Sequence, residues 1–534
     1  MTSLREKVGQ LMVIGFKGTT ASEEIKELIR EHHVGGIILF GRNIGTPEEI
    51  LNVTNELQRV ARDAGHKKPL LICLDQENGV VRRLGEGTTI FPGAMLLGAT
   101  NDPENAYKVG LGTGRELKAL GVNWNLAPVL DVNNNPDNPV IGVRSYGEST
   151  KKVSEFGKMA MKGMQDAGIM TTLKHFPGHG DTNVDSHLDL PVISHSIERL
   201  EEIELKPFKD AIHEGADTIM SAHVYFPAIE DTPGVPATLS KKVITGLLRE
   251  KLCFDGVVTT DCMEMNAIAN TIGTANGGVE AVKAGVDLIM VSHLHNLQKD
   301  TINAIVAAVE AGDINETIID AAVSRVLRLK DKYLNWDELN LDQVAVVPSV
   351  VGCIEHEAVA TDIYKKGVTI VKNNGILPLT PNGEQRVLVV YSENKYTMQV
   401  EDKRYSSMFL GQSIKEIDSR ADVLELSNPP SADEIKDVAL KAKAYDAVVI
   451  GTLTVLSGDA QVKLVEKIYE TGVPVVVVAT RSPYDMAYLP DVHGYVCTYE
   501  FPYPALKMAA KAIYGIEQVT GRLPVTIPKD AVKS

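Results

Sequence analysis

At 534 residues the chain exceeds what one ordinary core organises. Length alone sets an expectation of about three to four domains, although an α/β barrel absorbs about 250 residues or more as one unit. A hydrophobic content of 44% with 23% charged residues is that of a globular protein, and a formal net charge of -16 argues against nucleic acid and anionic membrane surfaces as partners.

The N-terminal ten residues alternate charge and polarity and open a helix, with no apolar core of signal-peptide length. No later stretch reaches the roughly 18 apolar residues of a membrane span. The five cysteines (Cys73, Cys253, Cys262, Cys353, Cys497) are scattered, odd in number and without a CxxC pair, which fits a reducing compartment. The expectation is a cytoplasmic protein.

Short apolar, β-branched runs then recur at residues 10–14, 36–40, 70–74, 122–130, 170–173, 218–220, 257–260 and 288–291. Helical periodicity lies between most of them, over 47–64, 102–119, 150–167 and 197–213, and a final helical pattern covers 303–333. Strands alternating with helices imply parallel pairing through right-handed crossovers, and eight such units predict a (β/α)8 TIM-like barrel over residues 1–336. Residues 337–351 read as a linker. Six more apolar runs follow, at 368–371, 387–390, 423–426, 447–450, 473–479 and 494–497, with helical patterns at 432–444 and 461–471. They predict a C-terminal α/β domain over 352–534, a layered sheet flanked by helices.

Ionisable residues close most of the first eight runs: Asp75 after the third, Asp131 after the fourth, Lys174 and His175 after the fifth. His223 follows the sixth, Asp261 the seventh and His293 the eighth. Barrel active sites form at the C-terminal ends of the strands, so this is the face on which chemistry is expected.

The densest cluster is Lys174-His175-Phe176-Pro177-Gly178-His179-Gly180-Asp181-Thr182-Asn183-Val184-Asp185-Ser186-His187. Its glycines and proline exclude a regular element over most of its length. Asp185 stands two residues from His187, a spacing that lets a carboxylate fix one ring nitrogen and leave the other for acid/base work. The plainer reading is a surface loop with a capping aspartate. A zinc site from His175, His179, Asp181 and His187 is a third, although the spacing matches no compact zinc signature. Asp261 reads either as a strand-end nucleophile or as the cap of a helix over 263–268. Asp75 and Arg144 are each suited to hydroxyl recognition or to structural ion pairing, and His175 also reads as a satisfied core histidine.

The fourteen-residue segment resembles the signature of the β-N-acetylglucosaminidases of glycoside hydrolase family 3. Leu74-Asp75-Gln76-Glu77, the Asn125 to Val132 stretch, Arg144-Ser145-Tyr146, Ser221-Ala222-His223-Val224 and Thr260-Asp261 are similar to that family in the same order. The second region, with Gly521-Arg522-Leu523-Pro524-Val525, resembles its C-terminal domain more weakly. One departure is Asn78 before Gly79, where many relatives carry two glycines.

The resemblance implies a retaining, exo-acting enzyme that removes terminal N-acetylglucosamine from chito-oligosaccharides or cell-wall muropeptide fragments. Asp261 would be the nucleophile and His187, partnered by Asp185, the acid/base. Asp75, Arg144, Lys174 and His175 would hold the sugar, with Asp131 and Arg83 as further contacts and His223 and Met263 lining the pocket. No metal and no cofactor are implied. The alternatives are phosphorolysis by the same residues and a carbohydrate-binding protein without turnover. In some members the second region pairs subunits, so a homodimer is among the expectations, as is a further domain beyond Ser534.

Overall fold

The computed structural model describes residues 3–394, 400–401, 404 and 408–528. The first eight runs become eight strands: β1 (Met12–Ile14), β2 (Gly36–Ile38), β3 (Leu71–Leu74), β4 (Trp124–Asn125), β5 (Met170–Phe176), β6 (Thr218–Ser221), β7 (Val257–Thr260) and β8 (Ile289–Val291). Every residue of these strands is buried, which is why they read as continuous apolar or β-branched runs without polar alternation. All neighbours pair in parallel in the order β7-β6-β5-β4-β3-β2-β1-β8. A parallel bridge between Thr259 and Leu288 closes the barrel.

Local chemistry explains most element ends. The helix Pro47–Asp63 opens with proline in its first turn and a reciprocal box between Thr46 and Glu49. The pattern over 303–333 divides into His295–Glu310 and Glu316–Tyr333, because Gly312 takes a left-handed φ of 80° and Asn315 caps the next helix. The pattern over 197–213 also divides, into Ile197–Glu202 and Leu205–His213; between them Glu204 is buried, with Arg199 at 2.7 Å. The run over 122–130 forms a regular strand only at Trp124–Asn125; Pro128 has no N–H to give, and pairing resumes as a single parallel bridge between Val129 and Lys174.

Six further strands form the second sheet: β9 (Thr369–Asn373), β10 (Val387–Ser392), β11 (Asp422–Leu426), β12 (Ala447–Thr452), β13 (Val475–Ala479) and β14 (Gly494–Cys497). Their order is β11-β10-β12-β13-β14-β9, with β9 antiparallel to β14 and the remaining pairs parallel.

The barrel strands pack into a core of their own, whereas the second sheet shares its core with helices and loops on the outside of the barrel. Phe91, Met95, Val109 and Phe156 of the barrel belong to the same buried cluster as Tyr364, Val496 and Leu506. Polar ties cross this seam: His356 Nδ1 lies 2.8 Å from Glu116 Oε1, and Gly93 N donates to Glu500 Oε2 at 2.7 Å. Among the described residues no helix is long and apolar enough to cross a membrane.

Candidate active site

A 440 Å³ cavity opens at the C-terminal ends of the strands. Asp75, Arg83, Arg144, Lys174, His175, His187 and Asp261 line it together, although 186 positions separate the first from the last (261 minus 75).

The base of the cavity is an ion cluster. Lys174 Nζ lies 2.8 Å from Asp75 Oδ1 and 2.6 Å from Glu77 Oε1. Two nitrogens of Arg144 donate to the two oxygens of Glu77, each at 2.8 Å. Burial opposes the charge on Glu77, but Arg144 and Lys174 outweigh it and hold the carboxyl well below its ordinary range. Burial likewise disfavours the Lys174 ammonium, yet Asp75 and Glu77 raise its pKa. Glu77 is thus the counter-ion that keeps both cations in place, a role the sequence reading did not assign.

Lys174 and His175 both reach the cavity although they are consecutive on β5. The β5–β6 register shifts between Leu173 and Phe176, which breaks the usual alternation of faces. His175 Nδ1 lies 2.7 Å from Asp131 Oδ2, and Asp131 is fully buried behind it. Burial would raise the Asp131 carboxyl, but His175 draws it below its ordinary value. Asp131 therefore orients His175 and does not line the cavity, in contrast to the sugar contact expected of it.

Asp261 closes β7. Its Oδ1 accepts the Cys262 N–H at 2.7 Å, and Oδ2 has no protein partner among the described residues. The helix that follows is Asn266–Ala269, capped at Met265, so Asp261 is not a helix cap. Burial raises its carboxyl, but His223, His175 and His187 together bring it below the ordinary value, which keeps it anionic. His223 lies behind this carboxylate, its Nε2 3.0 Å from Cys262 O and its Nδ1 2.8 Å from Thr238 Oγ1. Met263 is fully buried in the barrel core, and Met265 lines the cavity in its stead. Both expected pocket-lining positions are corrected on this point: each side chain turns into the packing beneath the cavity.

His187 Nδ1 lies 2.7 Å from Asp185 Oδ1, which also accepts the His187 backbone N–H at 2.9 Å. A carboxylate can only accept, so Nδ1 carries the proton and Nε2 is the ring nitrogen without a protein partner among the described residues. Burial raises the Asp185 carboxyl, but the bonds to His187 bring it below its ordinary value. The zinc arrangement does not form: His175 faces Asp131, His179 faces Thr182 and Ser186, Asp181 faces His195, and His187 faces Asp185. Cys262, Glu264 and His293 do gather their ligand atoms within 4.8 Å. Glu264, however, already accepts three backbone N–H groups, from Ser292, His293 and Leu294, and Arg42 sits 3.0 Å from His293 Nδ1.

The second domain reaches the cavity through Val400, Glu401 and Arg404. Arg404 donates to Ile44 O at 2.7 Å and to Arg83 O at 2.8 Å, while Arg83 donates to Val400 O at 3.1 Å and faces Asp75 at 3.5 Å. The sequence reading named no residue of that domain for the site; the segment has no motif, and only its position over the barrel mouth reveals it. The Asn78-Gly79 departure keeps its turn, since both residues adopt positive φ, 69° and 62°, and asparagine tolerates that region.

A parallel eight-stranded barrel that brings Asp261, an Asp–His dyad and a cation-clamped base to one cavity at its strand ends has the layout of a barrel enzyme. Residues 3–329 match the glycosyl hydrolase family 3 N-terminal domain, and residues 368–534 match its C-terminal domain. The chain belongs to glycosyl hydrolase family 3 and is a glycoside hydrolase. It is 31% identical over 558 residues to beta-hexosaminidase A of Pseudoalteromonas piscicida, covering 95% of this chain and 92% of that one. Among solved structures, a family 3 beta-N-acetylglucosaminidase from Paenibacillus sp. str. FPU-7 superposes with a TM-score of 0.91 at 40% identity, with all of both chains covered. A fungal multi-domain family 3 beta-N-acetylglucosaminidase superposes at 0.90 and 37% identity, covering 100% of this chain and 61% of that one.

Proposed function

We propose that this protein is a retaining, exo-acting β-N-acetylglucosaminidase that removes terminal N-acetylglucosamine from chito-oligosaccharides or muropeptide fragments. One observation carries the reading: an anionic Asp261 and the exposed edge of a carboxylate-held His187 line the same sugar-sized cavity, above a base of buried donors. The names of two relatives matched over most of both chains, a beta-hexosaminidase and a beta-N-acetylglucosaminidase, agree with it.

In the first step Asp261 Oδ2 bonds to the anomeric carbon as the glycosidic C–O bond breaks. His187 Nε2 gives its proton to the departing oxygen, and Asp185 stabilises the imidazolium before that transfer. In the second step His187 takes a proton from water, the water oxygen bonds to the anomeric carbon, and the ester to Asp261 breaks. Two opposed displacements retain configuration. Asp75, Arg144, Lys174 and His175 hold the sugar by hydroxyl hydrogen bonds, with Lys174 and Arg144 held by Glu77, Asp75 by Lys174 and His175 by Asp131.

The same arrangement favours a second acceptor. An uncharged imidazole, unlike a carboxylate base, does not repel an incoming anion, so phosphate is an alternative to water in the second step.

Mass spectrometry of enzyme trapped with a fluorinated N-acetylglucosaminyl donor tests the nucleophile; label on the peptide containing Asp261 is expected, and label elsewhere rejects the assignment. Product analysis with and without phosphate, on chitobiose and on a muropeptide disaccharide, separates hydrolysis from phosphorolysis. Free sugar in both cases supports the hydrolase, and sugar 1-phosphate supports the phosphorylase.

A further inference from the structure

The dyad sits on a stretch of chain with little to hold it. On its N-terminal side, Thr182 is pinned: Asn135 Nδ2 donates to its carbonyl at 3.2 Å and Asn138 Nδ2 to its hydroxyl at 3.3 Å. On the C-terminal side, Pro191 O and Ile193 N bond to the backbone of Tyr225 at 2.9 and 3.0 Å. Between them, within 183–190, the backbone bonds of Leu188 and Asp189 return to Asp185, and Asp185 turns its carboxylate onto His187. Among the described residues a single hydrogen bond ties this stretch to the rest of the barrel: His179 Nε2 to Ser186 Oγ, at 3.0 Å.

His179 is itself immobilised. It is buried, its backbone N–H donates to Asp131 Oδ1 at 2.7 Å, and its carbonyl accepts Asn138 at 2.9 Å. Its Nδ1 lies 2.8 Å from Thr182 Oγ1. The hydroxyl bookkeeping selects the tautomer. Thr182 can send its proton to the His179 carbonyl, 3.2 Å away, whereas Ser186 has no protein acceptor but Nε2 among the described residues. All partners are satisfied when Nδ1–H donates to Thr182 and Nε2 accepts from Ser186. That requires a neutral ring, and burial, with His175 nearby, depresses the His179 pKa to about 4.

We infer that His179 is a positioning residue: by accepting the Ser186 hydroxyl it fixes the turn that carries Asp185 and His187, and so sets the line along which His187 delivers its proton. The inference rests on the acid/base role proposed for His187. It adds that the imidazole two positions after Pro177, although it borders the cavity, has both ring nitrogens engaged by Thr182 and Ser186 and so acts through the one serine between the dyad partners.

Kinetics on two donors test this. Ser186→Ala removes the hydroxyl. His179→Asn keeps a group near Nδ1 for Thr182 but falls short of Ser186, whereas His179→Gln places its amide near the Nε2 position. On chitobiose, whose leaving group needs a proton, Ser186→Ala and His179→Asn are expected to lose about tenfold to 100-fold in kcat/KM. On 2,4-dinitrophenyl N-acetylglucosaminide they are expected to stay within about twofold of wild type, because that leaving group departs unprotonated. Inhibition by N-acetylglucosamine should be unchanged, and His179→Gln should recover part of the loss seen in His179→Asn. Equal losses on both donors, no loss on either, or a glutamine variant no better than asparagine overturns the inference. Failure of the wild type to act on either donor sinks the functional reading instead. The positioning role is then read from imidazole 15N spectra, in which Ser186→Ala must move the ring signals of both His179 and His187; unmoved His187 signals overturn it.

Discussion

Lys174 Nζ and Glu77 Oε1 lie 2.6 Å apart, with side chains only 2% and 5% exposed, and the same carboxylate holds both reachable nitrogens of Arg144. Burying either cation at that depth without a counter-ion would cost several kcal/mol. The pair therefore determines whether the base of the cavity exists as a donor surface at all.

Glu77→Gln keeps the shape and removes the charge. It leaves two buried cations short of a counter-ion, so a loss of about 3–5 kcal/mol in unfolding free energy is expected, read by denaturant titration. In the fraction that folds, inhibition by N-acetylglucosamine should weaken, while the leaving-group dependence of the rate should match wild type.

His187→Ala should slow chitobiose cleavage by a factor of about 10²–10⁴ and activated aryl glycosides much less, because only the former needs a proton on the departing oxygen. Steady-state kcat/KM across aryl leaving groups of graded acidity measures this; equal slowing of all donors would contradict the acid role.

Glu500 should make stability depend on pH. Burial pushes its carboxyl up to about 7 from an ordinary 4.5, even though Gly93 N and Tyr364 donate to it. Between those values the folded chain holds a proton that the unfolded chain releases. Its contribution is therefore fully present below pH 4.5 and lost as pH rises to about 7. Glu500→Gln mimics the protonated form, so its advantage over wild type should grow across that window, to on the order of 3 kcal/mol by neutral pH. Paired melting curves at pH 5 and pH 8 check it, and a constant difference would refute the assignment.

Arg404→Ala removes donors to Ile44 O and Arg83 O. Charged donors of this kind are worth about 1.5–3 kcal/mol each, so a loss of about tenfold or more in kcat/KM is expected, carried mainly by KM as Arg83 loosens. Unchanged kinetics would show that the second domain covers the barrel mouth without supporting the site.

Dialysis against a chelator should leave activity intact, since the loop histidines each face a separate protein partner. Loss of activity with recovery on adding zinc would revive the metal reading.

Much of this was legible in the chain before any coordinates. The barrel runs show because a strand buried on both faces must be apolar throughout, as Leu71–Leu74 is. The dyad shows because Asp185 and His187 meet across one intervening residue. Met263 was misplaced for a related reason: closeness to Asp261 in sequence says nothing about facing, and the turn before Asn266–Ala269 points Met263 inward and Met265 into the cavity.

The sequence by itself determined the alternating strands and helices, the two-part organisation and the loop chemistry, because each is written in periodicity or in neighbours a few residues apart. Only the tertiary structure decided that Glu77 serves Lys174 and Arg144, that Asp131 stands behind His175, and that Arg404 reaches over from the second domain to Arg83. Those relationships join residues 44 to 321 positions apart, and nothing in local sequence encodes which distant side chain a buried charge will meet once the chain has closed around it.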